Sequence, residues 1–159
     1  VKLEKIGTDR YFLIDDRLPD WIAARIDGMK ADNLRRYAAT LGVVIGGELV
    51  AAMAVGGKER GNVEITFAAD SPKWATRDTI RRMMAWPFDQ LDCHRVTTRI
   101  AASNKRAIRF NEGIGFKREG VIREGWGPGE DAILLGLLRS EAPEWMRPQP
   151  ALAATLEMA

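Results

Sequence analysis

The stretch HRVTTRIAASNKRAIRFNEGIGF, running from His94 to Phe116, sets the reading of the whole chain. Its first part, Arg95 to Ala101, carries Val96, Thr97, Thr98 and Ile100. Branched side chains of this kind pack well on a pleated surface, so the segment predicts a strand. Asn104 offers a side-chain oxygen to the free amides of a first helical turn, and a short helix is expected from there. Gly113 or Gly115 ends it, because glycine tolerates the left-handed residue that closes many helices.

The elements on either side follow from the same kind of argument. Upstream, Val63, Ile65 and Phe67 alternate with Asn62, Glu64 and Thr66, as on a half-buried strand. A long helix comes next, with Thr76 as N-cap and Asp78 in its first turn. Ile80, Met83, Met84, Phe88 and Leu91 form its apolar face, and Arg77, Arg81 and Arg82 lie mainly off it. Pro87 removes a backbone donor and should kink or end that helix. A strand–helix–strand unit crosses over right-handed, so the Glu64 and Arg95 strands are expected to lie adjacent and parallel. Val121-Ile122 and Ala132 to Leu138 read as the last strands, around a glycine-rich loop from Gly125 to Gly129. Gly42 to Ile45 and Glu48 to Val55 read as a hairpin, since Gly46-Gly47 supplies positive φ. Gly56 to Gly61 reads as a polar loop.

Nearer the start, Tyr11 to Ile14 reads as a first strand. Asp20 reads as the cap of a helix carrying Trp21, Ile22, Ile26 and Met29, and a second helix is expected from Ala31 to Leu41, ending at Gly42. This order predicts an α/β (α+β) domain with a mixed sheet over residues 1–140. Residues 141–159, with Pro143, Pro148 and Pro150, read as a C-terminal tail in which Ala151 to Met158 forms a short apolar helix or a docking arm.

Composition narrows the function classes. The chain has 159 residues, 46% of them hydrophobic, which suits one domain with a real core. A formal net charge of +2 is far from the dense basic stripe of a nucleic-acid binder. Cys93 and His94 are the sole cysteine and histidine. An intramolecular disulfide, a cysteine-cluster metal site and a zinc site needing two histidines are thereby excluded. No apolar run reaches membrane-spanning length and no signal peptide is recognisable, so a cytoplasmic location is the expectation.

Chemistry concentrates at the junction Asp70-Ser71-Pro72-Lys73-Trp74-Ala75-Thr76-Arg77. A loop feeding a helix N-terminus turns free N–H groups and the positive end of the helix dipole outward, which suits a phosphate. Lys73, Arg77, Arg81 and Arg82 add positive charge nearby. The plainer reading is a helix start with solvated arginines.

His94-Arg95-Val96, Asn104, Ala107-Ile108 and Gly115-Phe116 together resemble the C-terminal half of the GNAT acetyltransferases. The nearest branch is the one that acetylates ribosomal-protein N-termini and small amines. Lys117 to Glu124, Asp131, Val63-Glu64-Ile65 and Phe88-Asp89-Gln90-Leu91 continue the likeness, which covers about Glu48 to Leu138. With Trp145 included, the chain is also similar to small GNAT proteins of tailed phages. The resemblance implies a mixed twisted sheet whose Glu64 and Arg95 strands splay apart, flanked by helices. It implies acetyl-CoA as cosubstrate, no metal, and a small-molecule or peptide amine as acceptor. Acetyl would pass to a primary amine by direct attack in a ternary complex. Phe67, Ala68, Ala69, Lys73, Trp74, Ala75, Thr76, Arg77, Asn104 and Arg109 fall at cofactor-binding positions, and Trp126 and Asp131 in the acceptor region.

Two departures stand out. The phosphate loop of the family is glycine-rich, whereas Ser71 to Thr76 contains no glycine. The family's frequent general-acid tyrosine is matched by Asn111. A non-catalytic GNAT-fold binding or assembly module, phage-related, is therefore the alternative function.

For several residues two readings stand side by side. Glu64 is a general base, directly or through a water, or an exposed polar residue on a half-buried strand. His94 is an acid–base group or a family-typical residue at the start of a strand. Cys93 is a nucleophile or a buried thiol. Asn104 is a helix cap to which the family adds cofactor contacts. Partnering through the tail or as a homo-oligomer is compatible with this sequence.

Overall fold

The structure is a computed structural model and describes residues 1–147. The residues assigned to the Ala151–Met158 arm, with Pro148 and Pro150, lie outside the described residues. The chain divides into two compact units, one comprising Val1–Gly57 with Ile65–Ile80, the other Lys58–Glu64 with Arg81 onward.

The first unit opens with β1 (Lys2–Gly7) and β2 (Arg10–Ile14), an antiparallel hairpin whose turn residue Asp9 has φ of 54°. The sequence pattern predicts only the second of these strands. Helix α1 (Leu18–Ala23) begins earlier than expected, with Arg17 at the cap position and Pro19 in its first turn; Asp20 is a first-turn residue and not the cap. Asp15 organises this start. Its carboxylate accepts from the Arg17 amide at 2.8 Å and from Arg17 Nε at 2.9 Å.

Helix α2 (Ala31–Tyr37) stops short of Leu41, because Ala38 already enters β3 (Ala38–Ile45). β3 pairs with β2 and with β4 (Glu48–Glu59), both antiparallel. The Gly46-Gly47 turn has φ of 59° and 78°, as the hairpin reading requires. β5 (Asn62–Ala69) follows β4 after a tight turn at Arg60-Gly61. The expected loop from Gly56 to Gly61 is therefore mostly strand. Strand order in this unit is β1-β2-β3-β4-β5. Leu18 and Ile22 of α1, Leu34 of α2, Ala52 and Ala54 of β4 and Ala68 of β5 form its buried core. The alanines are small because two helices must come close to the sheet there.

In the second unit β5 pairs in parallel with β6 (Arg95–Ala101), as expected. The pairing covers three positions, from Asn62↔Arg95 to Glu64↔Thr97. β6 is antiparallel to β8 (Glu130–Leu138), which is antiparallel to β7 (Lys117–Gly127), giving the order β5-β6-β8-β7. β7 is longer than the predicted Val121-Ile122 core and takes in most of the expected Gly125–Gly129 loop. Helix α3 (Arg77–Ala85) passes into a π turn over Trp86–Gln90, where Pro87 cannot continue the α ladder. Helix α4 (Lys105–Gly113) starts at its Asn104 cap, whose Oδ1 accepts from the Ala107 amide at 3.2 Å. Val96↔Leu137, Thr98↔Leu135 and Ile100↔Ile133 put one buried row on one sheet face. Met83, Met84, Phe88, Ile108 and Phe116 are among the other buried residues of this unit. Ala142 and Met146, beyond the last strand, are buried as well.

The fold class is thus α/β with a mixed, mostly antiparallel sheet and flanking helices. No helix among the described residues is long and apolar enough to cross a membrane.

Candidate active site

Glu64 stands at the last paired position of β5 and β6. Side chains alternate along a strand, so Glu64 points away from buried Val63 and Ile65 and is itself half-buried. Arg99 lies two residues beyond its partner Thr97, on the same sheet face, and its Nε donates to Glu64 Oε1 at 2.7 Å. Further back on that face Arg95 grips Glu119 through both ends of its guanidinium, one contact being Nη1 to Oε2 at 3.0 Å. Arg95 Nε also donates to Thr97 Oγ1 at 3.0 Å, and Thr97 Oγ1 to Asn62 Oδ1 at 2.8 Å. The Arg95 guanidinium holds the Glu119 carboxyl below the usual carboxylate range. Behind Glu64, then, is a bonded polar row of Arg95, Glu119, Thr97 and Asn62 that ties the strands together.

The junction before α3 belongs to the first unit and is tightly wound. Pro72–Trp74 forms a 3-10 turn in which Ser71 Oγ accepts from the Lys73 amide at 3.2 Å. The Ala75 amide donates to Pro72 O at 3.0 Å and the Thr76 amide to Trp74 O at 2.9 Å. Thr76 does cap α3, its Oγ1 accepting from the Thr79 amide at 3.2 Å. Trp74 is buried, its ring centroid 4.3 Å from that of Phe67. Arg10 of β2 closes the turn from one side. Its Nη1 donates to Trp74 O and to Thr79 Oγ1, and its Nη2 to Lys73 O, each at 3.0 Å. The amides of Lys73, Ala75 and Thr76 are therefore used within the turn. Lys73 and Arg77 are the exposed cations of the segment.

Ala68 is buried and Ala69 exposed at the end of β5; Arg109 is exposed on α4. Asn111 Nδ2 donates to Ala107 O at 2.8 Å, a bond within α4. Trp126 is half-buried near the end of β7. Asp131 Oδ1 accepts from the Glu124 amide at 2.8 Å, which shapes the β7–β8 turn. Cys93 is fully buried and burial pushes its thiol up, which makes it a poor nucleophile. His94 is exposed and packs over Gly61. A cavity of about 180 Å³ lined by Met84, Phe88, Asp89, Arg139, Ala142, Met146 and Arg147 contains none of these residues. Sequence reasoning missed Arg99 and Arg10. Strand alternation could have placed Arg99 on the Glu64 face; nothing local links Arg10 to the loop it holds.

No protein-family model and no curated protein matches the chain. Solved structures do. A mutant of the spermidine N-acetyltransferase SpeG from Vibrio cholerae superposes with a TM-score of 0.67 at 17% identity, over 84% of this chain and 96% of that one. A protein of T. thermophilus named as an acetyltransferase gives 0.66 at 17% identity, over 97% and 94%. The fold is that of the GNAT acetyltransferases.

In a GNAT fold the segment before α3 is where a coenzyme A pyrophosphate is expected, and its fit can be tested on the bonds above. Three of the loop amides already have partners within the turn, and the Trp74 side chain is buried against Phe67. The segment fits an anion through the Lys73 and Arg77 side chains and the positive start of α3, and not through a backbone cradle.

Proposed function

We propose that the chain is an acetyl-CoA-dependent N-acetyltransferase acting on a primary amine. The observation that carries this reading is the parallel β5–β6 pair ending at Glu64, within a fold shared with an enzyme named as a spermidine N-acetyltransferase. Lys73 and Arg77 would hold the phosphates, with Phe67 to Ala69 of β5 along the pantetheine arm. Asn104 keeps its capping role and stands by family position among the cofactor contacts. The thioester arrives already activated, so the protein has to position the amine, accept a proton and stabilise developing negative charge. The amine nitrogen bonds to the acetyl carbon, the carbon–sulfur bond breaks, and the electron pair leaves on sulfur as thiolate. Glu64 takes the proton the nitrogen loses, directly or through a water. Trp126 would border the acceptor.

The test is direct. Coenzyme A titrated into the protein should give saturable heat, and acetyl-CoA with a panel of amines should release thiol. Glu64→Gln should lower turnover about 100- to 10,000-fold while coenzyme A affinity stays within about twofold. Full turnover in that variant removes Glu64 from the mechanism, and absence of coenzyme A binding at millimolar concentration removes the mechanism itself.

A further inference from the structure

The identity of the acceptor can be narrowed, on the acetyltransferase reading above, from the way Glu64 and Arg99 face each other. A guanidinium carries five N–H donors in a planar fork. Arg99 uses one of them, Nε, on Glu64 Oε1. Among the described residues its Nη1 and Nη2 donate to nothing, and Glu64 Oε2 accepts from nothing. Both side chains reach solvent, Arg99 48% exposed and Glu64 38%. The pair therefore presents one free carboxylate oxygen beside a free edge of guanidinium donors.

The ligand that complements this arrangement carries an amine and a carboxylate close together. The amine answers Glu64 Oε2, and the carboxylate answers the Nη edge, in the planar geometry that guanidinium favours over ammonium. The two protein charges cancel, so an acceptor with a second cation meets the Arg99 charge without compensation. A zwitterion satisfies both partners. The neighbouring polar groups on this face do not compete, since Arg95 and Glu119 are bonded to each other and Thr97 to Asn62.

We propose that Glu64 and Arg99 form an acceptor subsite for a free α-amino acid. Arg99 binds its carboxylate and sets specificity. Glu64 stands at the amine that is acetylated, so the product is an N-acetylamino acid and free coenzyme A. Polyamines are then poor acceptors for this chain.

The experiment compares free amino acids, each with its amide and its decarboxylated amine, as acceptors for the full chain, with Arg99→Gln and Arg99→Lys alongside. At least one amino acid should have a KM about tenfold or more below that of its amide, as loss of a charge-assisted contact implies. In Arg99→Gln the ratio of the two KM values should collapse to within about twofold. The ratio cancels any general damage to Glu64. Saturation-transfer NMR without acetyl-CoA provides a second readout: the amino acid should bind the parent protein and lose binding in Arg99→Gln, with Arg99→Lys intermediate. Amines acetylated with no preference for a carboxylate overturn this inference and leave the acetyltransferase reading intact. Absence of both coenzyme A binding and turnover overturns the two together.

Discussion

Arg10→Ala tests the claim that the turn before α3 is held from outside. Arg10 supplies three bonds at 3.0 Å, to Trp74 O, Lys73 O and Thr79 Oγ1, across 63 to 69 residues of sequence. Truncation strands few polar groups. Trp74 O keeps the Thr76 amide at 2.9 Å, Thr79 Oγ1 keeps Thr76 Oγ1 at 2.9 Å, and exposed Lys73 O can take a water. The loss is then the net worth of the bonds without a large desolvation penalty. At about 0.5–1.5 kcal/mol for a typical bond, and with partial solvent screening, the sum is roughly 2–3 kcal/mol. For a chain of this size that corresponds to a melting temperature lower by about 4–12 °C. Urea unfolding followed by both tryptophan fluorescence and far-ultraviolet circular dichroism measures it. The two probes must coincide and m must not change if a single transition is to be assigned. Arg10→Lys should recover part of the loss, since an ammonium reaches fewer of the three acceptors at once. A loss below about 0.5 kcal/mol in Arg10→Ala would mean that the turn is held by its own bonds and would refute the reasoning.

Arg77→Ala should weaken coenzyme A binding by about 1.5–3 kcal/mol, the range for a bond to a charged group; calorimetry giving unchanged affinity removes Arg77 from the phosphate site. Gly61→Ala should cost about 1–2 kcal/mol or more, because Gly61 has φ of +75° and a Cβ there would come within 2.6 Å of His94 Nδ1; equal urea midpoints for variant and parent would contradict this. Asp15 is held well below the usual carboxylate range, chiefly by its hydrogen bonds from Arg17. Its folded value is depressed, so its contribution is present above the unfolded value of about 4 and is lost as pH falls below it. Asp15→Asn should therefore flatten the stability–pH curve on the acid side, and parallel curves for the two proteins below about pH 4 would show that Asp15 is not responsible.

Signals in the sequence are legible where the physics is local. Thr76 and Asn104 cap their helices by bonding amides three residues on, and Pro87 ends the α ladder through its own ring. Gly46-Gly47 turns the chain by its own φ. The departures share another cause. Ala38 to Leu41 continues a helical stretch in composition, yet it is strand, because it pairs with Met53 to Gly56. That tertiary ladder overrides propensity. Gly56 reads as a breaker but sits within β4, where a Cβ would collide with Tyr37 O; it marks a close approach of backbones and not a turn.

The candidate site divides along the same line. Alternation alone puts Glu64 opposite Val63 and Ile65, and so makes it a base candidate. Arg99 alternates as plainly, but its importance depends on which strand lies beside it and in what register. Glu64↔Thr97 sets that register, and a slip of one residue would turn Arg99 to the buried face. Part of what fixes it is a residue without a side chain. Gly136 faces Thr97, and a Cβ there would collide with both Glu119 and Arg95. The Arg95–Glu119 pair can lie flat across β8 only over a glycine, and that pair, with Thr97 and Asn62, ties β5, β6 and β7 together just behind Glu64. Along the chain, Gly136 is an unremarkable gap in an apolar strand. In the sheet it is the space that lets Arg95 and Glu119 pair across β8, while among the described residues the Arg99 Nη groups and Glu64 Oε2 keep donors and an acceptor to spare.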